Sequence, residues 1–172
     1  MILESIVEDV SCFGFDDGSI EIIGSGGNPV YTYSMDQITW SNNPVFNGLI
    51  ANEYTLYIKD SNGCIEDSSI VVSQPDSLII NVSSIHPVTC SDLNSGVINI
   101  EITGGSAPYQ SDLNSSIQLG SNVTFDGLPI GSYQIITTDS NGCIALLDTS
   151  LLQIENMSAF IEAVELNCFG DD

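Results

Sequence analysis

The sequence predicts an all-β chain built from tandem small Ig-like β-sandwich repeats of about 78 residues, and three observations carry that expectation. Landmarks recur at one offset: Cys12, Cys90 and Cys168 stand 78 residues apart, and Cys64 and Cys143 stand 79 apart. β-branched and aromatic residues cluster in short runs with partial alternation, as half-buried strands require. Gly pairs, Pro and Asn-Gly punctuate those runs at short intervals, and no convincing amphipathic helix lies between them.

Taken in order, the matching landmarks divide the chain into residues 1–76, 77–155 and the truncated start of a third copy at 156–172. Gly18 matches Gly96, Gly26-Gly27 matches Gly104-Gly105, and Tyr31 matches Tyr109. After a one-residue slip, "FNGL" at 46–49 matches "FDGL" at 125–128, Tyr54 matches Tyr133, and Gln74 matches Gln153. "DSNGC" at 60–64 recurs letter for letter at 139–143. "SIEIIGSGG" and "GVINIEITGG" read as strands stopped by a Gly pair, and "VYTYSM", "EYTLYIKD" and "SYQIITTD" read as strands with one face buried. "DSNG" between two such runs is a hairpin signal, with Asn-Gly supplying positive φ. "QPDSL" at 74–78 and "QIENM" at 153–157 are the expected joints. The closing "NCFGDD" repeats the opening "SCFGFDDGS", so Cys168 is expected to lack the partner that the rest of a third copy would supply.

Charge narrows the partners. The chain carries 23 acidic residues against one Lys or Arg, a net charge of −22. Phosphate backbones need Lys and Arg, so no nucleic acid is expected, and an anionic membrane surface is equally unsuited. No apolar run approaches the ~20 residues of a membrane span. "MILESIVEDV" lacks the basic and long apolar regions of a signal peptide, so an export signal is expected elsewhere in a longer parent. A polyanion of this kind resists self-association and suits cations or an exterior setting.

The cysteines fall as one pair per repeat, which favours disulfides and an oxidising compartment. The expected pairs are Cys12 with Cys64 and Cys90 with Cys143, each closing a loop of about 52 residues worth about 4 kcal/mol. Buried thiols are the alternative, and metal ligation is disfavoured because no C-x-x-C or nearby second ligand exists. The pairing has a geometric condition, that an even number of up-and-down strands lies between the two cysteines. Four are read, near 18–25, 30–35, 44–47 and 53–60. A strict seven-strand Ig order would place five there and make the bond hard to form.

At these residues the pattern resembles the SprB-type repeat of large surface adhesins of gliding Bacteroidota. The matching pieces are Cys12, Gly14, Asp17 and Gly18; Gly26, Gly27, Pro29 and Tyr31; Asn52-Glu53-Tyr54 and Gly131-Ser132-Tyr133; and Asp60-Ser61-Asn62-Gly63-Cys64. The second copy departs from it, with Asp92 in place of the Gly and Ser95 in place of the Asp. The resemblance implies export by type IX secretion, display on the bacterial surface, a part in gliding and a spacer role for most single repeats. "DSL" at 76–78 resembles the O-glycosylation sequon of such organisms, which makes Ser77 a candidate for modification.

No enzyme is expected. The single histidine, His86, has Glu8 and Val164 at the corresponding positions, and no nucleophile elbow, phosphate loop or H-E-x-x-H is present. Calcium is the more serious ligand: Asp16, Asp17, Asp60 and Asn62 supply oxygens on two loops that the expected disulfide would join, and Asp139 and Asn141 repeat the second set. D-S-N-G is equally explained as a turn that caps its own backbone. Trp40 with Tyr31 and Tyr33 is the candidate glycan platform, and the second copy has no matching Trp. The sequence thus points to a structural and adhesive segment of an extracellular protein, with neighbouring repeats as its partners and no required cofactor. The alternatives are a calcium- or carbohydrate-binding module and a building block of a multi-chain appendage, with surface glycans or other copies as partners.

Overall fold

A computed structural model describes residues 2–153, and within them the chain is all-β. The expected third copy and Cys168 lie outside the described residues. In the first unit β1 (Ile2–Glu8), β2 (Gly18–Ser25) and β4 (Val45–Leu49) form one antiparallel sheet in the order β1-β2-β4. The other sheet is β3-β5-β6, from β3 (Thr32–Ser34), β5 (Asn52–Lys59) and β6 (Ile65–Val72). The second unit repeats this with β7 (Ile79–His86), β8 (Gly96–Thr103) and β11 (Asn122–Leu128) in the order β11-β8-β7. Its other sheet is β10-β9-β12-β13, from β9 (Gln110–Leu113), β10 (Ser116–Leu119), β12 (Gly131–Thr138) and β13 (Ile144–Leu151). This is the A-B-E against C-F-G arrangement of an Ig-like sandwich, with a C′ strand added in the second unit.

Alternation builds the core. Ile98, Ile100 and Ile102 of β8 point inward with Leu113, Tyr133 and Ile135 of the opposite sheet, and Ile20, Ile22 and Leu56 do the same in the first unit. Each unit also holds a tyrosine corner: Tyr54 donates to the Ile50 carbonyl at 2.9 Å and Tyr133 to the Pro129 carbonyl at 2.6 Å. The last strands differ. β13 packs Ala145 and Leu147 against its core, whereas β6 carries exposed Glu66 and Ser68 at the matching positions. The first unit is therefore held by less apolar burial than the second.

Gly18 and Gly96 match because the sheets close tightly there. A Cβ on Gly96 would stand 2.5 Å from the Leu128 carbonyl oxygen and 2.6 Å from the Leu151 side chain. Gly96→Ala is expected to cost about 3 kcal/mol, read as a lower urea midpoint; an unchanged midpoint would contradict this packing.

The strand count corrects the expected disulfides. β2 runs away from the end that holds Cys12 and β3 returns; the chain then doubles back through a Tyr33–Ser41 bridge, β4 returns and β5 runs away again. In the second unit β10 is that extra segment, folded back on β9 at Asn114-Ser115, where φ is 51° and 71°. Five segments, not four, separate the two cysteines of a unit. Cys12 and Cys64 therefore lie at opposite ends of one sandwich, as do Cys90 and Cys143, and neither expected pair forms.

Candidate functional site: the stapled joint between the units

The chain enters each sandwich at one end, here called the top, and leaves at the other. The top carries the Gly-Gly turn and the D-S-N-G-C loop; the bottom carries the opening cysteine and the exit of the last strand. Two units joined by a short linker therefore meet bottom to top.

The top loop is organised by one aspartate. The Asp139 carboxylate is buried and accepts from the N–H groups of Ser106 (2.8 Å), Asn141 (2.9 Å) and Cys143 (2.9 Å). Asp60 does the same with Asn28 (3.1 Å), Asn62 (3.0 Å) and Cys64 (2.9 Å). Gly63 and Gly142 take positive φ (84° and 85°) while Asn62 and Asn141 do not, so the turn needs only its glycine in the left-handed region. The aspartate thus ties the closing hairpin to the Gly-Gly turn and fixes where the cysteine points.

The bottom of the first unit presents a second compact loop. Asp17 accepts from the Ser11 N–H at 3.0 Å and from the Ser11 hydroxyl. In the second unit Ser95 replaces Asp17, and its hydroxyl accepts from the Thr89 N–H at 2.9 Å. The departure in "CSDLNSG" therefore keeps the local bond.

Between these faces the linker is held on both sides. Ser73 accepts from Val10 N–H at 2.9 Å and donates its own N–H to Asp9 at 2.7 Å, while Gln74 accepts from Gly14 N–H at 2.7 Å. Asp76 accepts from Gly105 N–H at 2.8 Å. Gly104, at φ +69°, lies against Ser77 so closely that a Cβ would collide with its carbonyl. Across this junction Cys12 and Cys143 form a disulfide spanning 131 residues, with Cα atoms 5.7 Å apart. Asn141 Nδ2 donates to the Ser11 carbonyl at 2.9 Å beside it. Phe13, Phe15, Leu78 and Ile144 line a cleft of 270 Å³ next to the bond. The staple is a bond between units, and strand parity is the signal that could have found it.

The other candidates are placed as follows. Asp16 and Asp17 lie at the bottom of the first unit and Asp60 and Asn62 at its top, so the two loops proposed for calcium are not brought together within a unit. Among the described residues no group of three or more His, Cys, Asp or Glu side chains converges. Trp40 is half-buried; its Nε1–H donates to the Gln37 carbonyl at 3.1 Å, and Lys59 Nζ stands 3.9 Å from its ring centroid. Tyr31 donates to the Gly26 carbonyl at 2.5 Å and Tyr33 packs against the core, where burial, with a smaller effect of Tyr31, raises its phenol above the ordinary value. Each of these three aromatics makes a contact within the first unit. Ser77 is exposed in the linker, and His86 is exposed on β7.

Three carboxylates of the first unit sit below the ordinary value of 3.8. Asp36 is held at about 2 by the N–H groups of Thr39 (2.7 Å) and Ile38 (2.8 Å) and the Ser34 hydroxyl. Asp60 is lowered first by Asn28 N–H, and Asp17 first by the Ser11 hydroxyl. Below the unfolded value the unfolded chain binds protons that the native chain does not. The stability from these groups is thus complete above about pH 5 and is lost as pH falls through about 4 towards 2. Urea midpoints measured over that range should fall, and Asp36→Asn should flatten the fall. Identical slopes for the two proteins would contradict the assignment.

The fold and the joint define a tandem Ig-like repeat protein whose two sandwiches are stacked bottom to top and covalently stapled. The SprB repeat model matches residues 5–44 and 82–116, the leading part of each unit, and both units are consistent with SprB-type repeats. No curated protein matches the chain. Among solved structures, domains 4 and 5 of the S-layer protein SbsC are 11% identical, with 90% of this chain and 98% of that chain covered at a TM-score of 0.44. A C-terminal intimin fragment, solved with the intimin-binding domain of its translocated receptor, is 14% identical, with 86% of this chain and 63% of that one covered at 0.47. Murine CEACAM1b is 14% identical, with 88% and 100% covered at 0.34.

Proposed function

We propose that the chain is a structural and adhesive segment of a large exported protein on a bacterial surface, in which each repeat adds length to a stalk or filament. The observation that carries this reading is the joint. A linker hydrogen-bonded to both neighbours, beside an inter-unit disulfide, suits a stiff extended rod rather than beads on a flexible thread. The disulfide fits an oxidising exterior. The charge of −22 supplies repulsion between neighbouring copies. Type IX export, a role in gliding and glycosylation of Ser77 belong to the same reading and rest on the SprB resemblance. Antibody labelling of intact cells that carry the parent protein tests it: surface labelling without permeabilisation is expected, and a signal only after lysis would overturn it.

A further inference from the structure

The two top faces of the molecule are built alike, yet among the described residues only one of them is covered. In the second unit the loop 139–143 meets the bottom of the first unit, and Cys143 is buried and bonded to Cys12. In the first unit the identical loop 60–64 carries an exposed Cys64 thiol. Nothing in the loop accounts for the difference. Asp60 accepts the same N–H groups as Asp139, and Gly63 takes the same φ as Gly142. The turn beside it is also matched: Gly26 and Gly27 have φ of 70° and 67°, against 69° and 59° for Gly104 and Gly105, which seat the linker at the stapled joint.

We propose that the top face of the first unit is a docking site for the bottom of another SprB-type unit placed ahead of it in the same chain, and that Cys64 bonds to that unit's opening cysteine. The register follows the observed joint: the opening cysteine of one unit pairs with the closing cysteine of the next. Successive units are then stapled into a ladder, each sandwich bonded to its neighbours through opposite ends and never within itself. The occupant is a unit of the same chain because the chain enters each sandwich at its top, which puts a preceding unit at that face. The bond forms by two-electron oxidation of two thiols to one disulfide, with two protons and two electrons passing to a thiol oxidant such as oxidised glutathione or an exported dithiol oxidase. This inference rests on the stacking of the two units and stands apart from the surface role.

The test adds one unit to the whole chain. Residues 1–78, with Cys64→Ser in that added copy, are placed ahead of residues 1–172 and the product is oxidised with a glutathione buffer. The remaining Cys64 is expected to resist alkylation by a maleimide and to be recovered, unreduced, in a peptide joined to the Cys12 peptide of the added copy. Phe13→Tyr in that copy distinguishes its peptide by mass, and a bond to the unmarked Cys12 peptide would overturn the proposal. In the original chain the same thiol should label fully. Formation of the Cys12–Cys143 bond in the three-unit chain is the control for folding and stacking. With that control intact, an alkylated Cys64 would overturn the proposal, and so would a Cys64 bond found only between separate molecules on a non-reducing gel.

Discussion

Cys12→Ser should lower the melting temperature of the first unit by about 10 °C or more while leaving that of the second nearly unchanged. The asymmetry comes from the order of unfolding, because the first unit melts before the second. When the first unit unfolds on a folded second unit, its chain is pinned at Cys12 and again at the linker, which closes a loop of some sixty residues. On the chain-entropy model that restriction is worth about 4 kcal/mol, a large share of the stability of so small a sandwich. The first unit is also the weaker one, since Glu66 and Ser68 stand where the second unit packs Ala145 and Leu147. Calorimetry should therefore resolve two transitions in the variant, and reduction of the parent protein should reproduce the effect. Cys64→Ser is the control, with no shift expected. A Cys12→Ser protein that melts like the parent would show that the staple contributes nothing.

Asp139→Ala is expected to cost about 3 kcal/mol and to impair formation of the staple, two effects from one side chain. The carboxylate is 6% exposed and accepts three backbone N–H groups, and alanine would leave those donors buried without partners. One of them belongs to Cys143, so the loop that aims the sulfur loosens with the loss. Urea unfolding reads the first effect, and thiol titration of the oxidised protein reads the second. Asp60→Ala removes the same hub from the first unit and should destabilise that unit with the Cys12–Cys143 bond still forming. If both variants retained a fully formed staple, Asp139 would have no part in positioning it.

The repeat, the sandwich and most strands were legible because their signals are local. Period-two alternation at Ile20–Ile22 and Ile98–Ile102, Gly pairs at strand ends and the D-S-N-G turn each act within a few residues. The partner of each cysteine is not a local property. It depends on the parity of the strand count, and one weakly marked segment decides that parity. In the second unit the turn at Asn114-Ser115 lacks the glycine that usually advertises a two-residue hairpin, and β10 is exposed at all four positions. In the first unit the same segment shrinks to the bridge between Tyr33 and Ser41. Missing it moved Cys64 to the wrong end of the sandwich, and the loops proposed for calcium moved with it. Trp40 is ambiguous in sequence for a different reason. A lone exposed aromatic and a half-buried one under Lys59 leave the same trace in sequence.

Head-to-tail stacking through a bond between units is the centre of this account, and the disulfide map tests it most directly. The unreduced chain, alkylated to block thiols and digested at acidic residues, should yield one mass in which a Cys12 peptide is joined to a Cys143 peptide. Recovery instead of Cys12 joined to Cys64, or of Cys90 joined to Cys143, would contradict the strand parity and the stacking together.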